Sequence, residues 1–386
     1  MKRLLLIGAG HAHAQVLRDW IGAPLPGVEL LLVSPSAQAP YSGMVPCWLA
    51  GVYGYDDICV DFEALARAAG ARLVIDTLAG LDADRRSVRL ASGTQLSYDL
   101  LSLNVGSTLN PPAPRGHTRV LALRPLGGLR AAWEALLGEL ARCPSDQALT
   151  VTAVGGGAAG VETLLAVLAR LRSPQPLRTV HGMLISRGTT LLPGLAPKAA
   201  GVAQAALASA GVTVQLGAAY ADMAASASDL LLWAAGAEAH AWQRDCGLAV
   251  NAQGFIRIDG RLRSISHPQV YAVGDCADSP EPLPKAGVHA VRMGPVLSRN
   301  LRAALGVGTA ANHNAQRRVL ALLSTANSRA IASWARWSAS GRWVWRWKVR
   351  IDRGFLRRFA PSDAAARAHP DGANASRGFR HRSEAP

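Results

Sequence analysis

The sequence has few cysteines and no long hydrophobic run, and each absence excludes a class of protein. Five cysteines at irregular spacing in 386 residues do not make a disulfide scaffold, and they suit a reducing compartment. No apolar run approaches the roughly 18 residues of a membrane-spanning helix. The short apolar run after Met1-Lys2-Arg3 stops at Gly8, so we interpret it as a buried strand rather than a signal peptide. The sequence therefore predicts a cytoplasmic protein.

Acidic residues are also scarce. The chain has 26 Asp and Glu against 41 Lys and Arg, a formal net charge of +15. Such a charge implies attraction to a polyanion, either a nucleic acid or an acidic membrane surface. No recognised nucleic-acid-binding motif accompanies the basic residues, so no nucleic-acid partner is predicted. The oligomeric state is left open.

Two glycine-rich turns are the most informative feature that is present. The first, Gly8-Ala9-Gly10, follows the apolar run 4–7, and the second, at 155–160, follows the apolar run 149–154. Each has the order strand, tight turn, helix, in which glycines let the backbone approach a pyrophosphate and the helix N-terminus neutralises it. Two such turns in one chain indicate two dinucleotides, one a flavin and one a nicotinamide. An electron-transfer enzyme is the leading prediction.

Alternating strand and helix patterns predict an α/β fold with two doubly wound (Rossmann-like) nucleotide-binding domains, the second inserted in the first. We expect a discontinuous FAD-binding domain at 1–112 and 237–310 and an NAD(P)H-binding domain at 113–236. A C-terminal aromatic and basic segment at 311–362 should form a hairpin and an amphipathic helix. The tail 363–386 lacks apolar periodicity and is predicted to be disordered.

The first turn departs from the dinucleotide fingerprint at its third position, which is His13. Ser34 stands where a carboxylate would hold an adenosine ribose. Asp275 ends a predicted strand and therefore lies at the carboxyl edge of a sheet, where ligands bind. A helix starting near Ala286 would direct backbone N–H groups to the same place. The alternatives are an ordinary tight turn for 8–10 and a cap or turn role for Asp275.

Two histidines, His11 and His13, raise the question of a metal site. On a helix, residues two apart point to different sides and cannot share a metal ion. We interpret both as residues beside the ligand or on the surface. No other His or Cys cluster has metal-ligand spacing, so no metal is predicted.

The second turn fills all three glycine positions of the fingerprint, and Glu162 follows in the first turn of the next helix. A nicotinamide nucleotide is its natural occupant, with a purely structural turn as the alternative. The next strand ends in Ser186-Arg187 rather than in an acid, which suits the 2′-phosphate of NADPH. Arg187 could equally be a solvated surface residue, so the choice between NADH and NADPH stays open.

Several motifs together resemble the FAD-dependent pyridine nucleotide–disulfide oxidoreductase superfamily, and within it the type II NADH dehydrogenase-like branch. They are the two glycine turns and the segments 104–106, 234–236 and 273–275. More narrowly, segments 40–46, 284–297 and 341–359 resemble the flavoprotein module that some bacteria fuse to selenide, water dikinase.

The resemblance implies a tightly bound FAD. Its pyrophosphate would lie at Gly8 and Gly10, its ribityl chain at Asp275, and its isoalloxazine ring near Lys285 and the amides of 286–288. Glu162 would lie near the nicotinamide–flavin junction. The residues predicted to bind cofactors are Gly8, Gly10, His11, Ser34, Pro46, Gly106, Gly155, Gly157, Gly160, Arg187, Gly236, Gly274, Asp275, Ala286 and Gly287. Those predicted to be catalytic are Glu162 and Lys285.

The cysteines distinguish between branches of this superfamily. Disulfide reductases carry a C-x4-C pair, whereas Cys47 and Cys59 are separated by eleven residues, and Cys276 follows Asp275 without a partner in the sequence. We interpret the cysteines as inert packing residues. The flavin is therefore expected to pass electrons directly to an acceptor.

The C-terminal segment accounts for much of the positive charge. Apolar residues recur at helical spacing, arginines occupy the remaining faces, and further tryptophans flank them. The apolar set is Val344, Trp347, Ile351, Phe355 and Phe359, and the arginines are Arg346, Arg350, Arg353, Arg357 and Arg358. Such a helix can lie in an anionic membrane interface or pack on the flavin domain, and both alternatives stay open.

These features predict an FAD-dependent oxidoreductase that transfers hydride from NADH or NADPH to bound FAD and on to a small-molecule acceptor. The best single prediction for the acceptor is a quinone, with selenium or sulfur species as an alternative. Another class of function is a redox sensor or assembly protein that binds FAD and NAD(P)H without turnover. The expected location is the cytoplasm, with peripheral attachment through 341–359 to the inner face of the membrane as the second possibility.

Overall fold

The computed structural model describes residues 1–113, 116–142, 148–173, 179–222, 228–316 and 318–360. The predicted disordered tail 363–386 and Cys143 lie outside these residues.

The first part of the chain alternates strands with short helices and ends in an antiparallel meander and a buried strand. Its elements are β1 (Lys2–Ile7), α1 (His11–Gly22), β2 (Val28–Ser34), β3 (Gln38–Pro40), α2 (Val45–Leu49), β4 (Cys59–Asp61), α3 (Phe62–Ala68), β5 (Arg72–Ile75), β6 (Leu78–Asp82), β7 (Ser87–Leu90), β8 (Gln95–Ser97) and β9 (Leu100–Leu103).

The middle part repeats the strand–helix alternation. Its elements are β10 (Arg119–Ala122), α4 (Leu126–Arg142), β11 (Leu149–Val154), α5 (Ala158–Leu171), β12 (Val180–Ser186), α6 (Pro197–Ser209), β13 (Val212–Leu216) and β14 (Leu230–Trp233). The last part returns to the first sheet and then adds a C-terminal unit. Its elements are β15 (Ile256–Arg257), β16 (Val270–Ala272), β17 (Ala277–Asp278), α7 (Gly287–Ala304), β18 (Ala321–Ser324), β19 (Ala330–Trp334), β20 (Trp337–Gly341) and α8 (Arg342–Phe359).

The first five-stranded sheet is parallel and has the order β16-β9-β1-β2-β5. The central run Leu4–Ile7 is buried, as expected for a parallel strand covered on both faces. β1 is flanked by β9 and β2, so the chain leaves β1 at the point where the order of strands reverses. Ligands bind at the carboxyl ends of the strands at such a switch point.

The second five-stranded sheet is also parallel and has the order β10-β14-β11-β12-β13. Its switch point lies after β11, which is flanked by β14 and β12. Each glycine turn therefore follows the central strand of its own sheet. The predicted α/β class, with a second doubly wound unit inserted in the first, is confirmed, whereas the exact domain limits stay a prediction.

The C-terminal unit is a three-stranded antiparallel sheet, β18-β19-β20, followed by α8. The sheet packs against α6, and α8 contacts α1 and β4 of the first unit. The predicted helix is present, and only part of its apolar set is buried. Trp347 is only partly buried and Ile351 is 39% exposed, whereas Lys348 and Asp352 are buried in their place.

The two nucleotide-binding units share their packing. The core of the second sheet includes Met44 and Trp48 from the first unit and Leu323 and Ile331 from the C-terminal sheet, while Phe355 of α8 joins the core of the first sheet. The C-terminal unit thus joins both nucleotide-binding units. Among the described residues, no helix is long and apolar enough to cross a membrane.

Candidate functional site

One large cleft lies at the carboxyl ends of both central strands. Its volume is about 2130 Å³, and it is lined by both glycine turns, the loop after β16 and the inner face of α8. A site for one small molecule occupies about 300–1,000 Å³. The cleft therefore has room for more than one such molecule, as two dinucleotides require.

The first turn is held so tightly that only glycine fits. Gly8 has a φ of +98°, and a Cβ there would lie 2.5 Å from the carbonyl oxygen of Asn104. A Cβ on Gly10 would overlap the Asn104 amide. That amide accepts a hydrogen bond from the Ala12 N–H at 3.2 Å and donates one to the Val273 carbonyl at 3.2 Å. Asn104 therefore fixes the start of α1 against the end of β16 and is a site residue that the motif contained but the prediction did not list.

His13 replaces the third fingerprint glycine by filling the space between helix and sheet. It is fully buried, and its ring nitrogens lie 2.7 Å from the Gly8 carbonyl and 2.8 Å from the Ser102 hydroxyl. Burial lowers the pKa of His13 to about 4, although the Gly8 bond acts in the opposite direction, so the ring is neutral at physiological pH. Of our two interpretations, the surface position is wrong for His13, which joins the turn to β9.

Two other residues of the first unit, His11 and Ser34, also line the cleft. His11 faces the cleft, and burial lowers its pKa to about 4. Ser34 also lines it, but its hydroxyl donates to the Ser36 carbonyl at 2.7 Å. The Ser34 side chain therefore stabilises its own loop, and its predicted contact with the cofactor stays a prediction.

The second turn uses its three glycines for three different purposes. Gly155 has a φ of +124°, with the Ala234 carbonyl oxygen 3.0 Å from an ideal Cβ. A Cβ on Gly160 would overlap the Gly155 carbonyl oxygen, so this glycine lets α5 pack on the turn. Gly157 faces open space and begins α5 without a side-chain cap. Of the three glycines, Gly157 lines the cleft, whereas Gly155 and Gly160 lie behind its surface. Arg187 is exposed and does not line the cleft.

Asp275 lines the cleft, as predicted for a residue at the carboxyl edge of the sheet, and its carboxylate is paired with Arg124. The Arg124 guanidinium lies 2.6 Å from its carboxylate and also donates to the Ser107 hydroxyl at 2.5 Å and the Lys285 carbonyl at 2.8 Å. Arg124 follows β10 in the second unit. No signal in its neighbourhood in the sequence indicates this contact, because the partner is 151 residues away.

Lys285 lines the cleft, but its ammonium group is engaged elsewhere. Nζ donates to the Ala277 carbonyl at 2.5 Å and lies 3.8 Å from the centre of the Phe255 ring. Burial lowers the pKa of Lys285, with Cys276 and Asp275 acting in the opposite direction. Its predicted position beside an isoalloxazine ring stays a prediction.

The remaining predicted residues are mostly backbone surfaces of the cleft. Gly106 and Gly236 line it with open space beside their Cα atoms. Pro46, Ala286 and Gly287 also line it. Gly274 lies behind the main cleft: its N–H lies 3.3 Å from the Met293 sulfur.

Glu162 lies where α5, β18 and α8 meet, and it lines the cleft. Its carboxylate accepts a hydrogen bond from the Ser324 N–H at 2.6 Å. Burial raises the pKa of Glu162 to about 7, although Lys348 and the Ser324 amide act in the opposite direction. The side chain is thus poised between its acid and base forms near neutral pH.

A buried ion pair on α8 completes this corner of the cleft. Lys348 is 2% exposed and donates to the Gly43 carbonyl at 2.6 Å and to Asp352 at 2.8 Å. Burial alone would lower the pKa of Lys348, but Asp352 and Glu162 outweigh burial and raise it. The prediction missed this pair, although Asp352 is the one acidic residue between 329 and 360 and stands four residues after a lysine.

Aromatic rings form the wall between this ion pair and the first turn. Tyr41 and Phe355 stack at 4.2 Å between ring centres, and His11 meets both rings edge-on at 5.5 Å. Farther out, Trp347 and Ile351 of α8 line the same cleft. Aromatic and apolar side chains therefore form one part of the cleft lining beside the buried ion pair.

These observations fit FAD and a nicotinamide dinucleotide. Helices α1 and α5 both begin at glycines with no side-chain cap, so their N-terminal N–H groups can meet phosphate oxygens. Open backbone at Gly106, Gly157 and Gly236 leaves room for close approach. Among the described residues, no group of three His, Cys, Asp or Glu side chains could hold a metal ion.

Comparison with known proteins agrees with this geometry. Residues 2–294 match the family described as pyridine nucleotide-disulphide oxidoreductase. A curated relative, the probable ferredoxin reductase CtmF of Castellaniella defragrans, is 30% identical over 109 residues. That match covers 28% of this chain and only 26% of the relative.

Solved structures share the fold over most of the chain. The sulfide:quinone oxidoreductase of Aquifex aeolicus has a TM-score of 0.74 at 14% identity, covering 93% of this chain and 91% of that one. NDH2 from Plasmodium falciparum, in complex with NADH, has a TM-score of 0.75 at 14% identity, covering 93% and 97%. The ferredoxin reductase for the CYP199A2 system of Rhodopseudomonas palustris has a TM-score of 0.68 at 19% identity, covering 86% and 82%. Identities this low show a shared fold alone.

Proposed function

The chain belongs to the pyridine nucleotide-disulphide oxidoreductase family, whose cofactors are FAD and NAD(P)H, and on this premise we propose that it is an NAD(P)H:quinone oxidoreductase. FAD, when bound, supplies the ability to accept hydride from the nicotinamide and to pass two electrons on. The observation that carries the choice of acceptor is the group of aromatic and apolar side chains that lines the cleft beside Glu162, namely Tyr41, Trp347, Ile351 and Phe355.

A thiol relay is a poor explanation for the described cysteines. Burial raises the pKa of Cys47 to about 11, that of Cys59 to about 12 and that of Cys276 to about 11. Burial also raises the pKa of Cys246. All four described thiols are free, and a reactive cysteine needs a lowered pKa and access to solvent. These values support direct transfer of electrons from the flavin to an acceptor.

The reduction of a quinone needs one proton more than NAD(P)H provides. A hydride carries two electrons and one proton, whereas a quinol holds two electrons and two protons. Glu162 is the group we propose for that proton, because its pKa of about 7 keeps part of the population protonated at neutral pH. The Lys348–Asp352 pair fixes the wall beside Glu162, and the Ser324 N–H orients its carboxylate.

The outer surface of the C-terminal unit supports docking at an anionic membrane. Trp334, Trp337 and Trp343 are each about half exposed, at 52%, 46% and 53%. Arg342 and Arg346 are also exposed, and the one acid of this segment is buried against Lys348. Exposed tryptophans beside exposed positive charges favour the interface of an anionic bilayer. We propose that this surface docks at the membrane that supplies the quinone.

Replacement of Glu162 by Gln tests the proposed proton donor. We expect the reduction of bound flavin by NAD(P)H to stay within about threefold of the wild type, and the reoxidation by a short-chain quinone to slow by about 10²-fold. In the wild type, reoxidation should fall as the pH rises through about 7, because the donor must be protonated. Stopped-flow traces of both half-reactions should show this pH dependence lost in E162Q. A reoxidation profile unchanged in E162Q would contradict the role.

Vesicle binding tests the proposed membrane surface. The double variant R342E/R346E reverses two exposed charges outside the cleft lining, each worth about 1 kcal/mol at an anionic surface. We expect at least tenfold weaker co-sedimentation with vesicles containing phosphatidylglycerol. The matched control R85E/R89E changes the same charge on the β6–β8 meander and should bind as the wild type does. Equal binding of both variants would contradict the surface.

A ferredoxin-type protein is the second candidate acceptor, because the same basic surface would attract an acidic partner protein. A panel of a short-chain quinone, an acidic ferredoxin and selenite or polysulfide separates the acceptors by kcat/KM. Preference for the quinone supports the proposal, and preference for the ferredoxin replaces it. Binding of FAD and NAD(P)H without turnover by any of them would instead support a redox sensor.

A further inference from the structure

The contact between Arg124 and Asp275 joins the two nucleotide-binding units at the cleft. Arg124 lies two residues after the second unit's edge strand β10, and Asp275 lies three residues after the first unit's edge strand β16. The guanidinium reaches three groups of the first unit, the Asp275 carboxylate, the Ser107 hydroxyl and the Lys285 carbonyl, all within 2.8 Å. Three loops are therefore held by one side chain.

The pair is partly shielded from water. The side chains of Arg124 and Asp275 are 27% and 15% exposed, and both line the cleft. In such a position a charge is screened much less than on the open surface. An unpaired carboxylate here would oppose the entry of FAD, whose pyrophosphate is itself negatively charged.

A second ion pair between the two nucleotide-binding units lies at the surface and can be compared with Arg124–Asp275. Arg130 of α4 lies 3.6 Å from Asp56 of the first unit, and these side chains are 44% and 73% exposed. Exposed pairs of this kind contribute about 0–1 kcal/mol. The Arg130–Asp56 pair is thus a matched control within the same chain.

We propose that Arg124 is a positioning residue that neutralises Asp275 and sets both the affinity for FAD and the reduction potential of the bound flavin. Two-electron reduction adds negative charge to the flavin, and the positive charge of Arg124 favours that addition. Removal of Arg124 leaves the Asp275 carboxylate unpaired and makes both binding and reduction of the flavin less favourable. The inference depends on FAD binding in the cleft and is independent of the acceptor.

The test is a double-mutant cycle with R124Q, D275N and R124Q/D275N. For R124Q we expect the dissociation constant of FAD from the apoprotein to rise at least tenfold. The equilibrium constant for reduction of the bound flavin should fall about tenfold, which is about 30 mV for a two-electron couple. D275N should shift the potential in the opposite direction, and the double variant should return to within about threefold of the wild type. Flavin fluorescence and a redox-dye equilibration measure the two quantities.

Two control variants distinguish the electrostatic role of Arg124 from a general loss of structure. R124K keeps the charge and should keep the potential within about twofold of the wild type, and R130Q should change neither quantity. If R124Q is not recovered as a folded protein, the positive shift predicted for D275N and the unchanged potential of R124K still test the inference. A wild-type potential in D275N, or a double variant R124Q/D275N that keeps the full tenfold loss of R124Q, would overturn it.

Discussion

The two glycine turns attach a helix to a sheet in opposite ways. In the second turn, Gly160 has no side chain, and α5 rests directly on the carbonyl of Gly155. In the first turn, His13 fills the gap, and its ring contacts both the turn and Ser102 of β9. The third position of the fingerprint is therefore a packing position that glycine or a fully hydrogen-bonded side chain can satisfy.

The largest effect on folding stability is expected from His13→Ala. It leaves a cavity and removes the partner of the Ser102 hydroxyl, which together should cost about 3–5 kcal/mol of folding free energy. Denaturant unfolding followed by circular dichroism measures the loss. His181→Ala, at an exposed position on β12, is the control and should stay within about 0.5 kcal/mol.

The variant His13→Gly tests the comparison more sharply. It restores the third fingerprint glycine in the sequence, but the position of the helix depends on the imidazole. We therefore expect at least the loss seen for His13→Ala, with up to about 1 kcal/mol more because glycine is less favourable than alanine in a helix. Wild-type stability in H13G would mean that the first turn can adopt the geometry of the second, and the comparison would fail.

A smaller effect is expected from Gly160→Ala. An unobstructed glycine-to-alanine change within a helix stabilises by up to about 1 kcal/mol, whereas overpacking costs about 1–3 kcal/mol. Because the new methyl group would overlap the Gly155 carbonyl, we expect destabilisation. Gly201→Ala on α6, where nothing lies within 4 Å, should stabilise instead. Changes of the same sign in thermal unfolding would contradict the packing argument.

The smallest effect on stability is expected from Gly157→Ala. The backbone there has a φ of −78°, which alanine accepts, and nothing lies within 4 Å of the new Cβ. Stability should change by less than about 0.5 kcal/mol. The methyl group would enter the cleft at the N-terminus of α5, so the dissociation constant of NAD(P)H should rise about tenfold. An unchanged constant, measured by nucleotide fluorescence, would remove this turn from the nicotinamide site.

Structural features that depend only on neighbouring residues in the sequence could be predicted. The runs at β1 and β11 and the glycines after them carry their own signals, because burial on both faces demands continuous apolar residues and the turns demand left-handed or open backbone. The two doubly wound units follow from these signals alone.

Features that depend on distant partners were missed. The role of Arg124 is set by groups far along the chain, and no local pattern marks it. On α8, Trp347 and Ile351 belong to the apolar set of the sequence, but Lys348 is the buried residue because the Gly43 carbonyl and Asp352 accept its hydrogen bonds. A buried lysine is acceptable only with such partners, and the Gly43 carbonyl lies in another unit of the fold.

The central claim is that both dinucleotides bind in one cleft and exchange electrons there. The most direct measurement is an anaerobic absorption titration of the purified protein, reconstituted with FAD where needed, with NADH and NADPH in separate experiments. The account predicts flavin bands that bleach after one equivalent of at least one of the two nucleotides. A protein that holds no flavin after reconstitution, or a bound flavin that neither nucleotide bleaches, would contradict it.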